Sequence, residues 1–145
     1  MARNDVSNFY QGGIQAEAHV AVGRETECWK FWRSRLWGVG IFGVADIGSP
    51  WLRFDFGWEH NGWDIKQVGF YVKSRWGLGD RGLHLKSFQG YGPIQHHSID
   101  LSVEYKHHFE FGGILGVGYG YRVLARNCPR YVNFFMANFL YPFGL

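Results

Sequence analysis

Apolar and polar residues alternate along most of the chain, with the period of two that is typical of β-strands. In residues 99–105, large apolar side chains occupy every second position, with Ser, Asp or Glu between them. In residues 115–123, Leu, Val and Tyr alternate with glycine and arginine. A helix would mix the two kinds of residue on each face, so the pattern predicts strands.

About eight strands follow from this alternation and from the turn residues between its segments. They are expected near residues 14–22, 35–47, 51–59, 63–75, 82–89, 99–105, 115–123 and 131–143, of which 82–89 is the weakest. Residues 1–13 are interpreted as an N-terminal tail and residues 24–34 as a long loop. The 145 residues contain no Pro- or Ser-rich linker, which indicates a single domain.

The bulk of the two strand faces indicates which of them points inward. An eight-stranded barrel has an interior only wide enough for side chains to fill it. One face carries aromatic side chains that would overfill that space: Phe54, Phe56, Trp58, Phe70, Tyr105, Tyr119, Tyr121, Phe135, Phe139, Tyr141 and Phe143. We therefore expect this face to point outward to lipid, as in membrane barrels.

The opposite face combines glycines with charges of both signs, which can fill a narrow interior as a paired network. The expected interior charges are Arg53, Asp55, Lys73, Arg75, Asp100, Glu104, Lys106 and Arg122. Tryptophans near the strand ends are expected at the membrane interfaces: Trp37, Trp51, Trp58, Trp63 and Trp76. The predicted fold class is all-β: an eight-stranded, antiparallel, up-and-down transmembrane β-barrel with a polar interior.

The composition and motifs exclude some functions but do not identify one. The net charge of +3 is spread along the chain rather than gathered into basic runs, so nucleic-acid binding is not predicted. No phosphate loop, dinucleotide fingerprint or zinc-ligand cluster is present, and no cofactor is predicted. The N-terminus contains no apolar run like that of a secretory signal, so Met1 is either a natural start or an initiator added after a signal was removed.

The Gly-and-aromatic segment Gly116-Val-Gly-Tyr-Gly-Tyr-Arg122 and the final segment 139–145 resemble strands of the small eight-stranded outer-membrane β-barrel proteins of Gram-negative bacteria. The final segment ends Phe143-Gly144-Leu145, whereas strands of that class usually end in Phe or Trp. The resemblance implies a monomer in the bacterial outer membrane, in contact with membrane lipid or lipopolysaccharide. It implies a structural, adhesive or small-solute role, with loops available to a protein partner.

A local resemblance to the outer-membrane lipid A 3-O-deacylase offers an enzymatic alternative. His96, Ser98 and Glu110 follow the His-x-Ser order and the spacing to a later Glu of that site, and would serve as base, nucleophile and orienting acid. The sequence departs from that family because about 35 residues follow Glu110 and because Ile99 and Asp100 replace the Asn and Ala that usually follow the Ser. A soluble β-rich structural subunit of a virion or filament is the alternative from another class.

The two cysteines become informative in this barrel topology. Cys28 is expected in the loop between the first and second strands, and Cys128 in the loop between the last two. Both loops would lie on one side of an eight-stranded barrel, near the seam. The alternatives are a disulfide between them or two free thiols. Adjacent histidines on a strand point to opposite faces, so the pairs at 96–97 and 107–108 do not predict a metal site.

Overall fold

Seven antiparallel strands form a single sheet in the computed structural model, which describes residues 14–29, 32–46, 49–62, 65–79 and 95–142. The strands are β1 (Gln15–Trp29), β2 (Trp32–Ala45), β3 (Trp51–Gly62), β4 (Lys66–Gly77), β5 (His97–His108), β6 (Ile114–Arg126) and β7 (Asn133–Leu140). The described part of the chain contains no helix long and apolar enough to cross a membrane. The all-β prediction is confirmed.

The strands follow one another in the sheet in the order of the sequence, each antiparallel to the next. The sheet is open, because β1 pairs only with β2 and β7 only with β6 among the described residues. Six reversals of direction separate β1 from β7, so these two edge strands run the same way. The up-and-down order is therefore confirmed, whereas the closed barrel of eight strands is not observed.

The strand predicted near residues 82–89 has no place between its neighbours. Those residues lie outside the described part of the chain, but β4 pairs directly with β5 from Lys66 opposite His107 to Trp76 opposite His97. A continuous ladder leaves no room for another strand at this position. The strand itself stays a prediction, whereas its expected place between the strands now seen as β4 and β5 is excluded by this pairing.

The long loop predicted for residues 24–34 is instead a continuation of two strands. β1 extends to Trp29 and β2 begins at Trp32, and these two residues pair with each other. Charges of opposite sign face each other across the ladder, because Glu25 lies opposite Arg35 and Glu27 opposite Arg33. Three of the charged residues that suggested a loop, Glu25, Glu27 and Arg33, therefore lie on one face of this ladder, whose register shifts between Glu27 and Trp29.

The two faces of the sheet differ in both chemistry and exposure. Alternation along the strands and the cross-strand register place Asp55 with Lys73 on one face, and Phe56 with Val72 on the other. Asp55 is only 5% exposed, whereas the adjacent Phe56 is 56% exposed. The sheet is therefore curled around the face that bears the charges. We call this the polar face, defined by the cross-strand rows through Arg53, Asp55, Gly57, Glu59 and Asn61 of β3, and its reverse the apolar face.

Glycines allow large rings to lie across neighbouring strands on the polar face. Gly57 lies opposite Trp37, and Gly43 opposite Trp51. A Cβ at either glycine would overlap the indole of its partner. Trp37 and Trp51 therefore pack on the polar face, and Trp51 is buried. The glycines on the next strand make room for both rings inside the curl, so these rings do not lie on the face that was expected to meet lipid.

The other tryptophans of that prediction are placed differently. Trp58 and Trp76 lie on the apolar face, whereas Trp63 lies outside the described residues. The predicted outward direction of the aromatic residues is confirmed at several positions. Phe54, Phe70, Phe135 and Phe139 are exposed on the apolar face.

Candidate functional site

A row of alternating charges crosses the polar face at mid-height. Asp55 of β3 lies opposite Lys73 of β4, Lys73 opposite Asp100 of β5, and Asp100 opposite Arg122 of β6. We call these four residues the charge row. Because paired residues of adjacent strands have neighbouring Cβ atoms, each charge has an opposite charge beside it. The row uses half of the charged residues predicted for the interior.

The best-defined contact of the charge row joins Arg122 to Asp100. Arg122 Nε donates to Asp100 Oδ1 at 2.6 Å, and its terminal nitrogen donates to Oδ2 at 3.1 Å. The side chains are 17% and 10% exposed, so this two-bond pair is largely withdrawn from water. Such geometry offsets the cost of removing both charges from solvent. A β-bulge at Ile99 and Asp100 lies beside it, where the register shifts between β5 and β6.

Two more ion pairs each join residues that are two positions apart in the same strand, one pair in β3 and the other in β5. Arg53 Nε donates to Asp55 Oδ2 at 2.8 Å, and a second nitrogen of Arg53 also reaches this oxygen. Lys106 Nζ lies 3.5 Å from Glu104 Oε2. Residues i and i+2 of a strand share a face, which is why these pairs could be predicted to lie together. All eight predicted interior charges lie on the polar face.

Glu59 is a hydrogen-bonding centre on this face that the sequence prediction did not include. Its Oε1 accepts a hydrogen bond from Trp37 Nε1 at 3.1 Å and one from the Tyr71 hydroxyl at 3.2 Å. The indole and phenol rings lie 6.0 Å apart, the indole over Gly57 and the phenol over Gly69. The sequence could have indicated this position, because the alternation through Phe54, Phe56 and Trp58 places Glu59 on the same side as the charges.

Basic charge exceeds acidic charge next to the charge row. Arg53 and Arg75 lie opposite each other in the ladder between β3 and β4. Arg75 Nε is buried without a hydrogen-bond partner among the described residues. Like charges directly opposite each other oppose pairing. Asp55, bonded to Arg53, compensates for part of this repulsion.

The structure does not bring together the three residues of the deacylase-like site, His96, Ser98 and Glu110. His96 and Ser98 are both buried at the start of β5, and His96 packs against Gly77. Glu110 lies in the hairpin after β5, so about 40 Å of extended strand separate it from Ser98. The nearer carboxylate, Asp100, is held by Arg122. The described geometry therefore offers Ser98 no orienting acid from Glu110.

The cysteines lie at opposite ends of the sheet. Cys28 is the penultimate residue of β1, next to the first hairpin, whereas Cys128 follows β6. The end of β6 aligns with the start of β5 and the end of β4, and thus with the start of β1. Cys128 is a free thiol, and its Sγ contacts the His97 carbonyl oxygen at 3.3 Å. The expected placement at one end was wrong, because it counted eight strands instead of seven.

On the apolar face, the polar atoms of several aromatic side chains are paired locally. Trp58 Nε1 donates to Ser34 Oγ at 2.7 Å, and Trp76 Nε1 donates to Ser74 Oγ at 2.6 Å. The Tyr119 hydroxyl donates to Asn133 at 2.6 Å. Across β2 to β7, the three rows through Phe54, Phe56 and Trp58 carry no charged residue. This surface is apolar, and the polar atoms of these aromatic side chains are hydrogen-bonded to neighbouring side chains.

No group of three or more His, Cys, Asp or Glu residues in the described ranges could hold a metal ion. Comparison of the chain with protein-family models, curated proteins and solved structures finds no match. The functional argument therefore rests on the two faces of the sheet.

Proposed function

We propose that the chain forms the wall of a monomeric β-barrel in a bacterial outer membrane, with the apolar face toward lipid and the polar face toward a filled interior. The observation that carries the proposal is the inverted exposure of the two faces. Phe56 and Phe70 are 56% and 49% exposed, whereas Asp55 and Asp100 are 5% and 7% exposed. A water-soluble sheet with one covered face would cover its apolar residues instead.

Strand length supports the same proposal. Six of the seven strands have 12 to 15 residues. A tilted strand needs about 9–11 residues to cross the hydrocarbon layer, whereas strands of globular proteins have about 5–6. The local hydrogen bonds of Trp58 and Trp76 also suit lipid, where an unpaired N–H is costly.

The packing of the polar face favours a structural or adhesive role over a diffusion pore. Rings over glycines and paired charges fill the space inside the curl, as in small barrels whose interior is occupied by side chains. The partners implied are membrane lipid or lipopolysaccharide on the outside and proteins at the hairpins. Membrane insertion also requires the edges of β1 and β7 to be covered, and a direct seam between them would be a parallel ladder.

The open edges favour a second candidate, a soluble structural subunit of a virion or filament. β1 and β7 each present an unpaired backbone edge in the described sheet, and such edges template pairing with another chain. In that case, the apolar face would pack against neighbouring copies rather than lipid. The two candidates differ in what they predict for a charge placed on the apolar face. Only the membrane candidate predicts that such a charge blocks assembly into lipid.

Two phenylalanines of equal exposure provide the test. Phe56 lies within β3 and Phe111 in the hairpin after β5, and both are 56% exposed. Arginine near the middle of a membrane barrel costs about 2–4 kcal/mol, falling to about 0–1 kcal/mol near the interface. We expect Phe56→Arg to reduce assembly into lipid vesicles strongly and Phe111→Arg to leave it nearly unchanged. Heat-modifiable migration on a gel measures the assembled fraction.

The same preparations distinguish the second candidate. A chain that stays monomeric only in detergent, with the expected difference between the two variants, supports the membrane proposal. A monodisperse chain or a regular assembly without detergent, with equal effects of the two arginines, would contradict it.

A further inference from the structure

Both edges of the sheet are open among the described residues. Every residue from 14 to 27, a range that includes most of β1, is exposed. The Ile14 carbonyl oxygen accepts a hydrogen bond from the Asp46 amide at 3.1 Å, so every second residue from Ile14 pairs its backbone with β2. The backbone groups of the residues between them, which include Glu17 and His19, therefore point to the open edge of β1.

The directions of β1 and β7 limit what can cover both edges. The two strands run the same way, so a single strand placed between them can be antiparallel to both. Single-chain barrels of bacterial outer membranes have an even number of antiparallel strands. Because an unpaired backbone group is costly in lipid, the geometry favours one additional antiparallel strand at this position.

The segment that precedes β1 has a suitable turn and a suitable length for this strand. Residues 1–13 lie outside the described residues. Gly12 and Gly13 come directly before Ile14, and adjacent glycines are typical of tight hairpin turns. Such a turn would direct residues 1–10 back along the open edge of β1, antiparallel to it. The length of this segment matches the roughly 9–11 residues that a tilted strand needs to cross the hydrocarbon layer.

The alternation of residues 1–10 also matches the two faces of β1. Arg3 and Asp5, the charged residues of this segment, occupy odd positions, and the even positions from 2 to 10 are uncharged. In β1, Glu17 and His19 likewise occupy odd positions and lie on the polar face, whereas the even positions from 14 to 22 hold only Ile, Ala and Val. A ladder that pairs odd positions with odd positions therefore keeps these charges off the apolar face.

We propose that residues 1–10 form an eighth strand between β1 and β7, antiparallel to both, with their odd positions on the polar face. This strand takes the place of the N-terminal tail that the sequence suggested. The inference rests on the proposed function, because lipid is what requires both edges to be covered. Its pairing is nevertheless measurable in detergent, separately from insertion into a membrane.

Disulfide formation tests the ladder with β1. In the full chain with Cys28→Ser and Cys128→Ser, Val6→Cys is combined in turn with a cysteine at each position from 16 to 21, and the refolded chain is oxidised in detergent. We expect oxidation to be about tenfold faster at the best even position than at the odd positions beside it, because only side chains of one face reach disulfide distance. A tail that does not pair would instead give rates that change smoothly with position.

A second series tests the edge at β7. Ala137→Cys lies on the apolar face and is combined with a cysteine at each position from 2 to 10, where the even positions should again oxidise faster than the odd ones. Thiol labelling measures the oxidised fraction, and a non-reducing gel separates bonds within one chain from bonds between two chains. Circular dichroism of each reduced variant checks that the sheet is retained.

Alternating rates within one chain in both series would support the proposal. Rates without alternation in either series would overturn it, and so would disulfides formed mainly between chains, which would show that a second copy covers the edge. Insertion of the same variants into lipid vesicles is measured separately by heat-modifiable migration. Alternating disulfides in a chain that does not insert would contradict the membrane function alone, whereas insertion without alternation would contradict the eighth strand alone.

Discussion

Asp55 and Phe56 are neighbours in β3, yet the carboxylate is 5% exposed and the ring 56% exposed. The difference arises from the direction of the curl, which covers one face of the sheet and opens the other. Charges are tolerated on the covered face because most have partners at cross-strand or i+2 positions. The exposed face, in contrast, has uncharged rows from β2 to β7. The two faces thus differ in their surroundings: the charged face is covered by the curl of the sheet, and the uncharged face is exposed.

Breaking the covered charge pair should have the largest effect on stability. Asp100→Ala leaves Arg122 largely buried without its carboxylate, which costs about 3–5 kcal/mol in such settings. Unfolding in urea, monitored by circular dichroism, measures the loss. The double variant Asp100→Leu/Arg122→Met should recover most of it, because no isolated charge remains.

An exposed pair on the same sheet provides the control. Glu27 lies 4.0 Å from Arg33, and their side chains are 80% and 54% exposed. Exposed ion pairs contribute about 0–1 kcal/mol, so Glu27→Ala should change the free energy of unfolding little. Similar losses for Asp100→Ala and Glu27→Ala would show that the polar face is not withdrawn from water.

Two glycines in adjacent strands give a smaller test of the same difference. A Cβ at Gly57 would overlap the Trp37 indole on the polar face, whereas a Cβ at Gly40 would lie 3.7 Å from the Phe54 ring on the apolar face. Gly57→Ala should cost about 1–3 kcal/mol by overpacking. Gly40→Ala should be neutral or stabilise by about 0.4–1 kcal/mol, because alanine restricts the unfolded chain. Thermal unfolding of the two variants compares them, and an equal cost would contradict tighter packing inside the curl.

The face of each charge could be predicted from the sequence, whereas the pairing of strands could not. Alternation gave Asp55, Asp100 and Arg122 a common side, and the register confirms it. Alternation also suggested a strand at 82–89 between β4 and β5, which pair directly, and missed the ends of β1 and β2. It contains no information on which segments join a ladder. One strand fewer reverses the end at which every later hairpin lies, and Cys128 was misplaced for that reason.

The place of Trp37 was also beyond reach of the sequence. Its position suggested an interfacial residue, whereas the register places Gly57 opposite its ring on the polar face. The neighbours on adjacent strands decide such positions, and only the register identifies those neighbours.

Lipid accessibility along β5 tests the central claim most directly. In a variant with Cys28 and Cys128 replaced by Ser, single cysteines at positions 101, 102 and 103 would carry spin labels, and the chain would be reconstituted in vesicles. Leu101 and Val103 lie on the apolar face, and Ser102 lies between them on the polar face. We predict frequent collisions with oxygen at 101 and 103 and few at 102, with a water-soluble nickel chelate excluded from 101 and 103. Uniform oxygen collisions at all three positions, or ready access of the nickel chelate to 101 and 103, would contradict a lipid-facing apolar surface.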